Sequence, residues 1–118
     1  MTDEVADVRA FFSEDTVSFL LGCSFSFENA MLAAGLPIRN MEEDKNVSMY
    51  ITNRNCTPAG PFSAQLVVTM RPMTPQQAIR AVQVTTQFHL THGAPVHLGN
   101  PHEIGIKDLD HPDFGDPV

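Results

Sequence analysis

Five histidines, His89, His92, His97, His102 and His111, fall within the last 30 residues of this 118-residue chain. Imidazole is the side chain that most readily takes and returns a proton near neutrality, so such a grouping suits general acid–base work. Asp113 and Asp116 bracket Phe114-Gly115 and supply carboxylates to pair with His92 or His97, with no residue type favouring acid over base. The plainer reading is that Asp in a Pro/Gly turn caps backbone amides. A metal reading would take His92 and His97 with His89 or Asp113, yet no zinc-type ligand spacing is present. No metal or other cofactor is therefore expected, and a divalent ion is left unsupported.

Two further groups suit anion recognition. Arg71 ends an apolar run and precedes Pro72, where its planar guanidinium could fork onto a substrate carboxylate. A salt bridge to one of the many acids is the competing role. Gly22-Cys23-Ser24-Phe25-Ser26 places a thiol and two hydroxyls in a turn that opens a helix, where amides and dipole would favour an anion or a thiolate. The competing reading is a capped helix with a buried thiol. It is not a nucleophile elbow, since G-x-S-x-G is missing.

These groups need positioning elements. Acids crowd the start of Thr2 to Ser13, and Val5, Val8 and Phe12 are at helical spacing, which predicts a short amphipathic helix. Thr16 to Leu21 suits a buried strand ended by Gly22, with a helical turn left open by periodicity alone. Ser26 is the expected N-cap of a helix burying Ala30, Met31 and Leu32 or Ala34, with Gly35 in the left-handed position after it. Val47 to Thr52 and Gln65 to Arg71 read as strands. Thr74-Pro75-Gln76-Gln77 has the form of a capping box with Pro at the first helical position. That helix should reach Phe88 or His89 with Ala78, Ile79, Ala81, Val82, Thr85 and Phe88 inward. Ala94 to Gly99 is a short strand candidate, and Asn100-Pro101-His102-Glu103 starts one helical turn ended by Gly105. The expected architecture is α/β or α+β, a two-layer sandwich of a mixed β-sheet with three to four or more strands and about three helices.

Composition bounds the function. Hydrophobic residues are 42% and charged residues 18%, ordinary for a globular domain. The net charge of -7 repels phosphate backbones and anionic bilayers, so neither nucleic acid nor membrane is an expected partner. Apolar runs are too short for a membrane span, and no signal peptide is legible. Two cysteines give no disulfide framework. A cytoplasmic location is expected, with an organellar matrix left open.

Four stretches together are specific. They are Thr16 to Glu28 with its G-C-S-F-S-F-E string, Asn46 to Asn53, Cys56 to Phe62 with Leu66 to Pro72, and His92 to Gly99 (H-G-A-P-V-H-L-G) leading to Pro112-Asp113-Phe114-Gly115-Asp116. In this order the chain resembles the D-glutamate cyclase family of hydro-lyases over nearly its whole length. Ser48 stands where that family usually has Pro. Family members are longer on both sides, so residues 1–118 are expected to be a single domain or the central part of a longer hydro-lyase-like domain.

The resemblance implies a lyase of D-glutamate metabolism that eliminates water, closing D-glutamate to 5-oxo-D-proline. A small amino or hydroxy acid is then the partner, and a homo-oligomer is left open. Such a reaction needs a carboxylate anchor, an acid and a base, and donors for an oxyanion. On residue type, Arg71 is the anchor, the turn with Cys23, Ser24 and Ser26 supplies donors, and His92 or His97 works with Asp113 or Asp116. Tyr50, Asn53 and Cys56 are expected to line the pocket. The alternative is a fragment or module of this fold that binds a small carboxylate without turnover.

Overall fold

A computed structural model describes residues 3–118. Among them are helices α1 (Glu28–Ala33), α2 (Arg39–Glu42) and α3 (Pro75–Thr85), and strands β1 (Met49–Asn55) and β2 (Gln65–Thr69). Single 3-10 turns cover Arg9–Phe11, Ser24–Phe27 and Pro101–Ile104. The mixed α/β class is as expected, but the strand count is smaller: one antiparallel pair, β1 beside β2.

The pair is set by burial alternation. Tyr50 and Thr52 face inward while Ile51 and Asn53 face out, as a period of two requires. Tyr50 opposes Val68 and Ile51 opposes Val67, and the register then slips before Asn55 meets Gln65. Thr52 occupies the irregularity. Its hydroxyl donates to the Leu66 carbonyl at 2.8 Å and accepts from the Arg54 amide at 3.2 Å, satisfying groups that the slipped ladder leaves over.

The tail runs along the other edge of β1. Met49 and Phe114 exchange backbone hydrogen bonds of 2.9 and 3.2 Å, so the last residues add one bridge of a third strand. Gly115 permits the approach. It has φ +78°, and a Cβ there would collide with the Val47 carbonyl oxygen.

The apolar interior is in two parts. Phe27, Met31, Leu36, Ile38, Ala81 and Val84 join α1 to α3, with Phe88 and Met73 against them. Tyr50, Ile104 and Ile106 form a second group under β1, with Val68 and Met70. α3 carries the expected box: the Gln77 amide donates to Thr74 Oγ1 and the Gln77 side chain accepts from the Thr74 amide. It ends at Thr85, short of Phe88, and Ile79 faces out rather than in. The end of α1 is as read, with Gly35 at φ 72° and the Leu36 amide reaching back to the Met31 carbonyl.

Several expected elements take other forms. Thr2 is outside the described residues, and the predicted first helix is only the turn Arg9–Phe11, which buries no residue. With nothing to pack against, so short an amphipathic segment gains little from helix formation. Thr16 to Leu21 has no regular structure and lies exposed, since no neighbouring strand offers its backbone a partner among the described residues. Ala94 to Gly99 is not a strand. Gly93 and Gly99 bend it through positive φ, and Pro95 has no amide to donate. Ser26 lies within the turn Ser24–Phe27 and α1 starts at Glu28 without a side-chain cap.

Candidate functional site

Residues 22–28, the Ser24–Phe27 turn with its flanks, meet two distant parts of the chain. One is the loop after α3, folded around a single acceptor: the Thr91 amide, the Thr91 hydroxyl and the Gly93 amide all donate to the Phe88 carbonyl, at 3.0, 3.0 and 3.1 Å. Gly22 packs on that loop so closely that a Cβ on it would lie 2.9 Å from Thr91 Cγ2 and 4.0 Å from Ser26 Oγ. Phe27, buried in the first apolar group, meets the His92 imidazole edge-on with centroids 5.1 Å apart. His92 stays exposed at its other faces and holds φ 125°. That is a costly backbone for a non-glycine residue, on the order of 1–3 kcal/mol.

The second part is the end of β2. Arg71 Nη2 donates to Glu28 Oε1 at 2.6 Å, and the two side chains are only 13% and 15% exposed. Arg71 Nη1 is buried and has no hydrogen-bond partner among the described residues. The guanidinium is therefore half satisfied: one nitrogen clamped, the other a vacant donor in a low-dielectric setting. Glu28 is the residue that sequence reasoning passed over. It was legible only as an acid in the first turn of a helix, though it closes the G-C-S-F-S-F-E string.

The turn thus brings Ser26, Phe27 and Glu28 together with His92 on one side and Arg71 on the other. Cys23 is exposed and Ser24 half-buried at the same turn. The remaining candidates are elsewhere. Asp113 Oδ2 accepts from the Ile51 amide at 2.7 Å, and Asp116 Oδ2 accepts from the Asn46 amide at 2.9 Å. Asp113 ties the tail to β1, and Asp116 ties it to the segment just before β1. His97 Nε2 is 2.9 Å from the Asn100 carbonyl. Its loop is tethered to β1 by Arg54 Nη1 donating to the Val96 carbonyl at 3.1 Å. Asn53 packs against Gly105.

Two hollows are also separate from the turn. Tyr50, Ile51, Gly105, Ile106, Lys107, Asp108, His111 and Asp113 line one of about 230 Å³. The Tyr50 hydroxyl is already committed there, donating to the Leu109 carbonyl at 2.7 Å. The His111 ring pairs with Asp108 at 2.8 Å, and that contact, with the Asp110 amide, holds the Asp108 carboxyl below its usual range. Cys56 lines the other hollow with Asn55, Pro58, Ser63, Ala64 and Gln65. Among the described residues no three His, Cys, Asp or Glu side chains group as metal ligands, and no helix is long and apolar enough to cross a membrane.

Comparison with known proteins gives this geometry a family. Proteins from Syntrophobacter fumaroxidans, a Bradyrhizobium strain and Bacillus subtilis, each carrying the name "Putative hydro-lyase", match all 118 residues at 57%, 58% and 52% identity. The chain spans 45%, 43% and 46% of their lengths, somewhat under half in each. The D-glutamate cyclase family model matches residues 17–118, a span that holds the turn, Arg71 and the His92 loop. The chain belongs to the D-glutamate cyclase family.

Proposed function

We propose that the turn at residues 22–28, Arg71 and His92 form part of a hydro-lyase site that closes D-glutamate to 5-oxo-D-proline. The observation that carries this is the buried Arg71, with Nη2 on Glu28 and Nη1 unpartnered, beside a turn that also packs on His92. An unsatisfied buried donor costs about 1–3 kcal/mol, which an arriving carboxylate would recover. Because Nη1 is covered, the side chains over it must part as the ligand enters.

The chemistry fixes what the residues must do. The amine nitrogen bonds to the γ-carboxyl carbon, and one γ-oxygen leaves as water. The ammonium starts with three protons and the lactam nitrogen keeps one. The other two depart in the water, so no net proton enters or leaves. One imidazole that accepts from nitrogen and returns to oxygen can serve both transfers. His92, exposed and held at a strained backbone angle beside the turn, suits that shuttle better than His97, which is engaged with Asn100. Arg71 would hold the α-carboxylate and so orient the amine. The Ser24 and Ser26 hydroxyls would donate to the oxyanion as the carbon becomes tetrahedral. In this arrangement Asp113 and Asp116 position the tail rather than move protons.

The relatives' additional length supports a second reading, in which this chain alone binds a small carboxylate without turnover. Incubation of this chain and of the Bacillus subtilis relative with D-glutamate, following 5-oxoproline, separates the two. The proposal expects turnover by the relative that drops at least about 100-fold on the change aligned with His92→Ala. Unchanged turnover in that variant would dismiss the shuttle.

A further inference from the structure

Thr16-Val17-Ser18-Phe19-Leu20-Leu21 has the composition of an interior strand and none of its surroundings. From Thr16 to Phe27 there is no charged residue, whereas strands that remain at an open edge carry charge or Pro to prevent pairing. Val17, Phe19, Leu20 and Leu21 are 74%, 82%, 99% and 91% exposed. The amides of residues 17–22 make no hydrogen bond among the described residues. The chain's radius of gyration, 16.6 Å, exceeds the roughly 13.5 Å of a compact chain this long. Leu90, 89% exposed, adjoins Thr91, the residue on which Gly22 packs. The apolar strand is thus fastened at one end and bare along its length.

We propose that residues 17–21 form a docking strand, paired through its backbone with an extended apolar segment from the part of the family's polypeptide beyond the matched span. That part is more than half of each relative's length, since this chain spans 43–46% of them. A second copy of the chain is the weaker occupant. Five residues of strand reach only about 17 Å, too little to bury the ~800 Å² per partner that a stable dimer needs. A segment of the same polypeptide needs no such area, because covalent connection gives it a high effective concentration. Pairing by strand addition would satisfy the bare amides and shelter alternate side chains. It would also bring the docked segment beside the Gly22–Ser26 turn, into which this strand leads directly.

Hydrogen exchange read by mass spectrometry on this chain and on the intact Bacillus subtilis relative tests the assignment. The amides of 17–22 should exchange without protection in this chain, and at least about 100-fold more slowly at the aligned positions of the relative. Leu20→Lys should leave the melting temperature of this chain unchanged, while the aligned change lowers that of the relative. Unprotected exchange in both proteins would overturn the proposal. So would protection that rises with concentration in this chain, which would make a second copy the occupant.

Discussion

Replacing Glu28 by Gln removes the negative member of a pair whose side chains are 15% and 13% exposed. Shape is nearly conserved, but the Arg71 charge is left in a mostly desolvated position with neither terminal nitrogen on a carboxylate. Removing one partner of a fully buried pair costs about 3–5 kcal/mol. The residual exposure brings our expectation to about 2–3 kcal/mol, or a fall in melting temperature of roughly 10–15 °C for a domain of this size. Urea denaturation followed by circular dichroism measures it. Arg71→Met should cost a similar amount, because it strands the Glu28 carboxylate. The double variant should return to within about 1 kcal/mol of the parent, since the desolvation penalty goes with both charges. Single changes costing under about 0.5 kcal/mol, or costs that add in the double variant, would refute the reasoning that this pair is buried and coupled.

Other consequences are independent of that pair. Gly115→Ala forces a side chain at φ +78° against the Val47 carbonyl, so the tail should leave β1, costing on the order of 2 kcal/mol or more; faster amide exchange at Met49 reports it. Thr74→Ala removes the oxygen that accepts from the Gln77 amide, and should cost about 1 kcal/mol in urea denaturation. Asp108 titrates below the ordinary aspartate range because His111 and the Asp110 amide stabilise its charged form. The stability it lends is therefore present above the unfolded value and lost as pH falls through the lowered one. His111→Ala should raise the Asp108 midpoint in a carbon-detected NMR titration, and an unmoved midpoint would remove His111 as the cause.

What the sequence could reveal followed from how local each cause is. The Thr74–Gln77 box, the Gly35 stop and the two strands depend on neighbours within a few residues, and each is found where its pattern places it. The Asp residues of the tail could be read as catalytic, with backbone capping the plainer role for Asp in a Pro/Gly turn. Only the 62- and 70-residue separations to Ile51 and Asn46 show which backbone amides they hold. Arg71 was identifiable as an anion partner, but its partner Glu28 lies 43 residues away, and no spacing rule links a strand end to a helix start. Thr16 to Leu21 was legible as a strand by composition, yet a strand exists only with something to pair with.

The central claim is that a small carboxylate binds where the 22–28 turn meets Arg71 and His92. The most direct test is an NMR titration of isotope-labelled chain with D-glutamate. Saturable shifts at Ser24, Ser26, Glu28, His92 and the Arg71 guanidinium, abolished by Arg71→Met, are the predicted result. Shifts confined to the hollow beside Tyr50 and Asp113, or to the one beside Cys56, would contradict it.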